Sequence, residues 1–182
     1  MNDGLQAAVD NAMHLIYSGK VKVFESQHKL GDLSTVVPHI YISNRETALN
    51  VPLLKKHRIT MVISVTDSLA SEAQQLAYTL NGISYLHLSL QDVTQQPLFP
   101  TADLVNTALQ PYVKKTSARG RALVHCEMGV SRSVSVVIWH LMCTYKWSYD
   151  QCLVAIRKHR SFVCPNAGFE LQLRNKTASS DK

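Results

Sequence analysis

The chain has 182 residues, 46% of them apolar and 18% charged, enough for one globular domain with a short extension. Those proportions argue against a disordered or collagen-like chain, and no apolar run reaches the roughly 20 residues that span a bilayer. The net charge of +6 comes from the second half, where twelve basic residues face six acidic ones, against seven and seven in residues 1–91; anionic partners are therefore favoured.

Leu5, Ala8, Val9, Ala12, Leu15 and Ile16 recur at helical spacing, which predicts a helix over 4–18 stopped by Gly19. Asp10, Asn11 and His14 interrupt this stretch and no basic segment precedes it, so it does not read as a signal peptide. Residues 19–37 are mixed and polar, and are expected to be a connector. His39–Ser43 is predicted as a short strand, 50–57 as a helix led by Pro52, and Met61–Thr66 as a buried strand rich in β-branched residues. A helix over Glu72–Leu80 follows, then a third strand carrying Tyr85, Leu86, Leu88 and Leu90, then a polar loop from Gln91 to Pro100. Thr101 is the expected cap of a helix reaching Lys115. Ala122–His125 is a short apolar strand ending in a turn that contains Gly129, with helices expected at 133–146, 149–159 and 166–174. Trp139 and Trp147 are expected in the core, and Arg157–Arg160 at a solvated helix end. The alternation indicates an α/β fold, a mostly parallel central sheet flanked by helices on both faces, with ligands bound beyond the carboxyl ends of its strands.

The segment His125-Cys126-Glu127-Met128-Gly129-Val130-Ser131-Arg132-Ser133 falls at the last strand-to-helix junction. Such a loop can aim successive N–H groups into one concavity and adds the positive end of the following helix, which suits a tetrahedral dianion. Gly129 permits the tight turn, and Arg132 offers a planar fork for two phosphate oxygens. A cysteine in these surroundings can be ionised at neutral pH, and would then attack phosphorus directly. Ser133 can donate a hydrogen bond to the sulfur, and His125 is placed to orient the loop. The departing oxygen needs a proton from a carboxylic acid on a loop at the same sheet edge. Asp92 is the first candidate and Asp67 the second, while Asp103 fits the first turn of a helix. Cys143, Cys152 and Cys164 read as small core hydrophobes in a reducing compartment.

The run HCEMGVSRS resembles the active-site loop of the cysteine-dependent dual-specificity protein phosphatases, with the pattern His-Cys, two residues, Gly, one residue, Ser-Arg-Ser. Asp92, lying 34 residues before Cys126, matches the family's general-acid aspartate. The run Pro165–Leu173 is similar to the segment in which Asn166 and Gly168 would support the phosphate loop. His39–Asn44 is similar to the family's first strand, with Ser43 where Gly is usual.

The resemblance implies a phosphocysteine intermediate on Cys126. Substrate would be held by Arg132 and by the backbone of Glu127, Met128, Gly129, Val130, Ser131 and Arg132, and neither metal nor cofactor is implied. It places the catalytic domain at 38–174, between an N-terminal helix with its connector (1–37) and a short polar tail (175–182). The chain's length suggests an atypical stand-alone member with a shallow pocket, acting on phosphotyrosine and phosphoserine/phosphothreonine in proteins. It would do so in the cytoplasm, with the nucleus as a second location, and with no nucleic-acid partner or membrane span. Two rival readings are a phospho-binding pseudophosphatase and a phosphatase for inositol lipids or RNA ends. The first usually lacks one of Cys126, Arg132 and Asp92, and Glu127 would repel a polyphosphorylated headgroup. No cysteine occurs in residues 1–125, so peroxide inactivation is expected without a disulfide to an upstream strand.

Overall fold

The computed structural model describes residue 29, residues 31–113 and residues 120–179; the helix expected over 4–18 and the end expected at Lys115 lie outside them. Among the described residues five strands, β1 (Ser34–Val37), β2 (Ile40–Ser43), β3 (Ile59–Ser64), β4 (Ser84–His87) and β5 (Arg121–His125), form one sheet in the order β1-β2-β5-β3-β4. Only β1 runs antiparallel, along the edge of β2; the other pairings are parallel. In register, Ser43 and Ser64 flank His125, and Ser64 also pairs with His87, so four strands end at one level.

Alternate residues of the central strands point to opposite faces. Ile42, Ile63 and Val124 join the larger core with helices α4 (Phe99–Val113), α5 (Arg132–Tyr145), α6 (Tyr149–Arg157) and α7 (Ala167–Ser179). Tyr41, Val62 and Leu123 join a smaller core under α1 (Arg45–Leu49), α2 (Val51–Lys56) and α3 (Glu72–Leu80). Helix α5 is apolar nearly all round because it packs between β5 and three other helices.

Several expectations need correcting. The end of the expected connector is β1, whose STVV sequence bonds to β2 after the turn at Pro38-His39. The five-residue α1 is capped by the Asn44 side chain, which accepts from Thr47 N–H at 2.9 Å; Asn50 in turn caps α2. The third strand closes at His87. Helix α4 begins at Phe99, two residues before Thr101, because a proline costs nothing in a first turn. The Thr101 hydroxyl instead donates to Ser89 O at 3.4 Å. Helix α7 runs to Ser179, five residues past its expected end. Trp139 and Trp147 are only partly buried, the former donating from its indole N–H to Asp103 at 2.7 Å. Among the described residues no helix is long and apolar enough to cross a membrane.

Candidate active site

The loop from Cys126 to Ser131 joins β5 to α5 at the carboxyl edge of the sheet. Its shape follows from where its carbonyls go. Glu127 O accepts from Arg45 N at 2.9 Å, and Met128 O from Arg160 Nη2 at 3.1 Å. Gly129 O accepts from Arg160 Nε at 2.7 Å, and Val130 O from Cys164 N at 3.0 Å. A trans peptide points its N–H opposite to its C=O. Four consecutive carbonyls fastened outward therefore turn the N–H groups of residues 128–131 to the other side. Cys126 lies there, 2% exposed, and its Sγ accepts from Gly129 N at 3.2 Å and from Ser133 Oγ at 3.3 Å. Gly129 adopts φ 68°, and a Cβ there would lie 2.5 Å from Ser43 O and 2.6 Å from Arg160 Nη2, so only glycine fits.

His125 is buried, and its Nδ1 donates to Cys126 O at 3.1 Å. Burial lowers its pKa to about 4, with Arg45 and His87 adding to the effect and the Cys126 hydrogen bond opposing it. The ring is thus neutral at pH 7. Its Nδ1–H bond fastens the carbonyl of the residue that bears the sulfur.

Arg132 opens α5 with its side chain 10% exposed. Nη1 donates to Asp67 Oδ1 at 3.1 Å and to Leu90 O at 3.2 Å. Its Nε lies 3.6 Å from Asp92 Oδ2 and is buried with no hydrogen-bond partner among the described residues. The Oδ1 of Asp92 accepts from Ser131 Oγ at 2.6 Å and from Asn166 Nδ2 at 2.8 Å, leaving Oδ2 as the oxygen toward Arg132. Asn166 also donates its N–H to Ser131 Oγ at 3.1 Å and caps the start of α7 by accepting from Phe169 N at 2.9 Å. Glu127 is half-exposed and lies 3.5 Å from Arg45 Nη1, so part of its charge is offset at the rim.

The structure therefore gathers Cys126, Arg132, Asp92, Ser131, Ser133, His125 and Asn166 around one loop, with Asp67 reaching Arg132 from the end of β3. Asp103 lies elsewhere, against Trp139. Cys152 is buried, its thiol pushed up to about 12 by burial, and Cys143 is partly buried. Cys164, expected in the core, is exposed and serves the loop through its backbone.

Sequence reasoning missed Arg160, which sits in a basic run expected to be solvated but is 0% exposed. Besides its two loop carbonyls it donates from Nη1 to Asp32 O at 2.9 Å and to Ser34 Oγ at 3.2 Å, and its guanidinium lies 4.6 Å from the Phe162 ring centre. Burial lowers its pKa to about 10, with Cys126 and Asp32 opposing, so it remains a cation at neutral pH. The aromatic at Phe162 two residues on was the available clue. Among the described residues no cluster of His, Cys, Asp and Glu has a metal-binding arrangement.

A recessed thiol under an inward-facing row of amides, at the carboxyl edge of a parallel sheet and beside an arginine and an aspartate, defines a cysteine-based phosphatase site. The chain belongs to the dual specificity phosphatase family, matching its catalytic domain over residues 40–179. It is 32% identical over 143 residues to human dual specificity protein phosphatase 22, covering 78% of this chain and 72% of that one. It is 30% identical over 149 residues to the Xenopus laevis protein phosphatase Slingshot homolog, covering 78% of this chain but 19% of the relative's length. The chain thus spans only about a fifth of that relative. Among solved structures, the fold resembles the Yvh1 phosphatase domain from Chaetomium thermophilum, with TM-score 0.70 and 23% identity over 82% of this chain and 98% of that one. Human DUSP28 superposes with TM-score 0.70 and 21% identity, covering 82% and 95% of the two chains.

Proposed function

We propose that this chain hydrolyses phosphate monoesters on protein side chains, phosphotyrosine together with phosphoserine and phosphothreonine, through a phosphocysteine intermediate. The observation that carries the reading is the Cys126 sulfur accepting from Gly129 N–H and Ser133 Oγ at the centre of the loop whose carbonyls at 127–130 are fastened outward. Those amides and the Arg132 guanidinium meet the phosphoryl oxygens and stabilise the charge on them in the transition state.

The thiolate attacks phosphorus and an S–P bond forms while the P–O bond to the side chain breaks. Asp92, protonated for this step, passes its proton from Oδ2 to the departing oxygen. Water then attacks the phosphocysteine, Asp92 takes a proton back, and the S–P bond breaks to release phosphate and the thiolate. Ser133 steadies the sulfur as it leaves.

Hydrolysis of p-nitrophenyl phosphate and of phosphotyrosine and phosphothreonine peptides tests the reading, with Cys126→Ser as the control. Turnover by the wild type that the variant loses is the expected result. Phosphopeptide binding without turnover by the wild type would sink it in favour of a binding protein. Faster release of phosphate from inositol phosphates than from peptides would move it to another substrate class.

A further inference from the structure

Arg160 lies on the far side of the phosphate loop from the sulfur, and two of its bonds reach the peptide units that form the loop's centre. Met128 C=O points to Arg160 Nη2, and the N–H of the same peptide unit, Gly129 N–H, points to Cys126 Sγ. Gly129 C=O points to Arg160 Nε, so the N–H of Val130 is turned the same way. The guanidinium's other edge is anchored on Asp32 O and Ser34 Oγ, just before and within β1, and Gly31 O is in turn held by the Thr47 hydroxyl at 2.8 Å. Arg45 closes the circuit from α1 by bonding Glu127 O.

We propose that Arg160 is a positioning residue for the phosphate site: its planar fork holds two successive loop carbonyls outward, and so aims the Gly129 and Val130 amides at the bound oxyanion. The inference rests on the reading of this loop as a phosphate site and adds a residue that touches neither substrate nor sulfur. A lysine cannot do the same work. Its ammonium is a single point of charge, whereas the guanidinium spans two carbonyls on one edge and reaches the β1 segment on the other. The placement also explains why Gly129 has no room for a side chain: Arg160 Nη2 occupies part of the space.

The test uses the full chain and tungstate, a phosphate-shaped anion that is not turned over. Arg160→Ala and Arg160→Lys are expected to bind tungstate at least tenfold more weakly than the wild type. Guanidinium ion at millimolar concentration, but not urea, is expected to restore binding to Arg160→Ala. A purely structural role would change the melting temperature and leave tungstate affinity alone. A folded Arg160→Ala that binds within twofold of wild type, or one whose weak binding guanidinium cannot restore, overturns the proposal.

Should both variants fail to fold, the wild type supplies the answer through the arginine Nε–H signals in nitrogen-edited NMR. The Arg160 signal is expected to exchange slowly with water and to shift when tungstate is added. A signal that exchanges as fast as that of exposed Arg157 and does not move overturns the proposal. Turnover separates the two readings. A wild type that binds tungstate with Arg160 engaged but does not hydrolyse p-nitrophenyl phosphate sinks only the phosphatase reading. An active enzyme whose Arg160 variants bind tungstate normally sinks only the positioning role, and a wild type that does not bind tungstate sinks both.

Discussion

Asp92 and Asp67 both reach Arg132, yet their surroundings give them different work. Asp92 has one oxygen occupied by Ser131 and Asn166 and the other turned toward the guanidinium, while Asp67 is mostly exposed and, among the described residues, bonds only Arg132. General acid catalysis is worth about 10²–10⁴ in rate. Asp92→Ala is accordingly expected to lower kcat on phosphopeptides roughly a hundredfold or more, and to leave binding to a Cys126→Ser trap nearly unchanged. Asp67→Ala should lower kcat by less than tenfold; the reverse ranking would reassign the acid. Gly129→Ala must add a methyl group against Ser43 O and Arg160 in a left-handed conformation that alone costs roughly 1–2 kcal/mol. Its measured outcome should be loss of both tungstate binding and thermal stability. That Cys126, Arg132 and Asp92 meet at one loop was legible because each is a residue type the chemistry would need there. Arg160 was not, because a charge in a basic run looks solvated until the carbonyls that bury it are known.

At the scale of elements, α7 braces the loop that carries Asp92. Asn166 at its start bonds Asp92, and Gly168 in its first turn lies so close to Thr94 O that a Cβ would overlap it. Gln172 accepts from Leu98 N at 2.9 Å and donates to Gln96 O at 3.0 Å. Gln172→Ala removes both loop bonds, for which about 1–2 kcal/mol of stability is the expected loss. The stronger signature is a lower kcat with little change in KM, read from phosphopeptide kinetics, because the brace acts on the loop of Asp92, the proton donor of the proposed mechanism, and not on residues 127–131. The long elements were legible in outline, α3 with its observed bounds, although α4 begins two residues early and α7 ends five residues late. The short ones, β1 and α1, were not, because four or five residues carry no full period and both depend on tertiary bonding: β1 on the edge of β2, α1 on the Asn44 cap.

For the whole molecule, two buried histidines make stability sensitive to acid. His125 and His140 both titrate at about 4 in the folded protein because burial disfavours the charged ring, against about 6.5 in an unfolded chain. Between pH 6.5 and 4 the unfolded state therefore binds protons that the folded state refuses. Stability is complete above that window and falls as pH drops through it, by roughly 1.4 kcal/mol per pH unit for each ring, levelling off below 4. Urea midpoints at pH 7, 5.5 and 4.5 check this, and His140→Gln, which can keep the bond to Asn106, should shed its share of the slope. The order of the sheet was the least legible feature at this scale. Putting β5 between β2 and β3 requires contacts between residues more than 55 positions apart, which local patterning cannot encode.

The four outward carbonyls of residues 127–130 are held by α1, by the turn after α6 and by the chain leading into α7, none of them sequence neighbours of the loop. An excised peptide of residues 121–146 would contain the nucleophile, the arginine and the helix that follows, and yet be blind to phosphate. Competence at this centre arrives only when distant parts of the chain have met, so recovery of turnover during refolding should trail the return of helical signal.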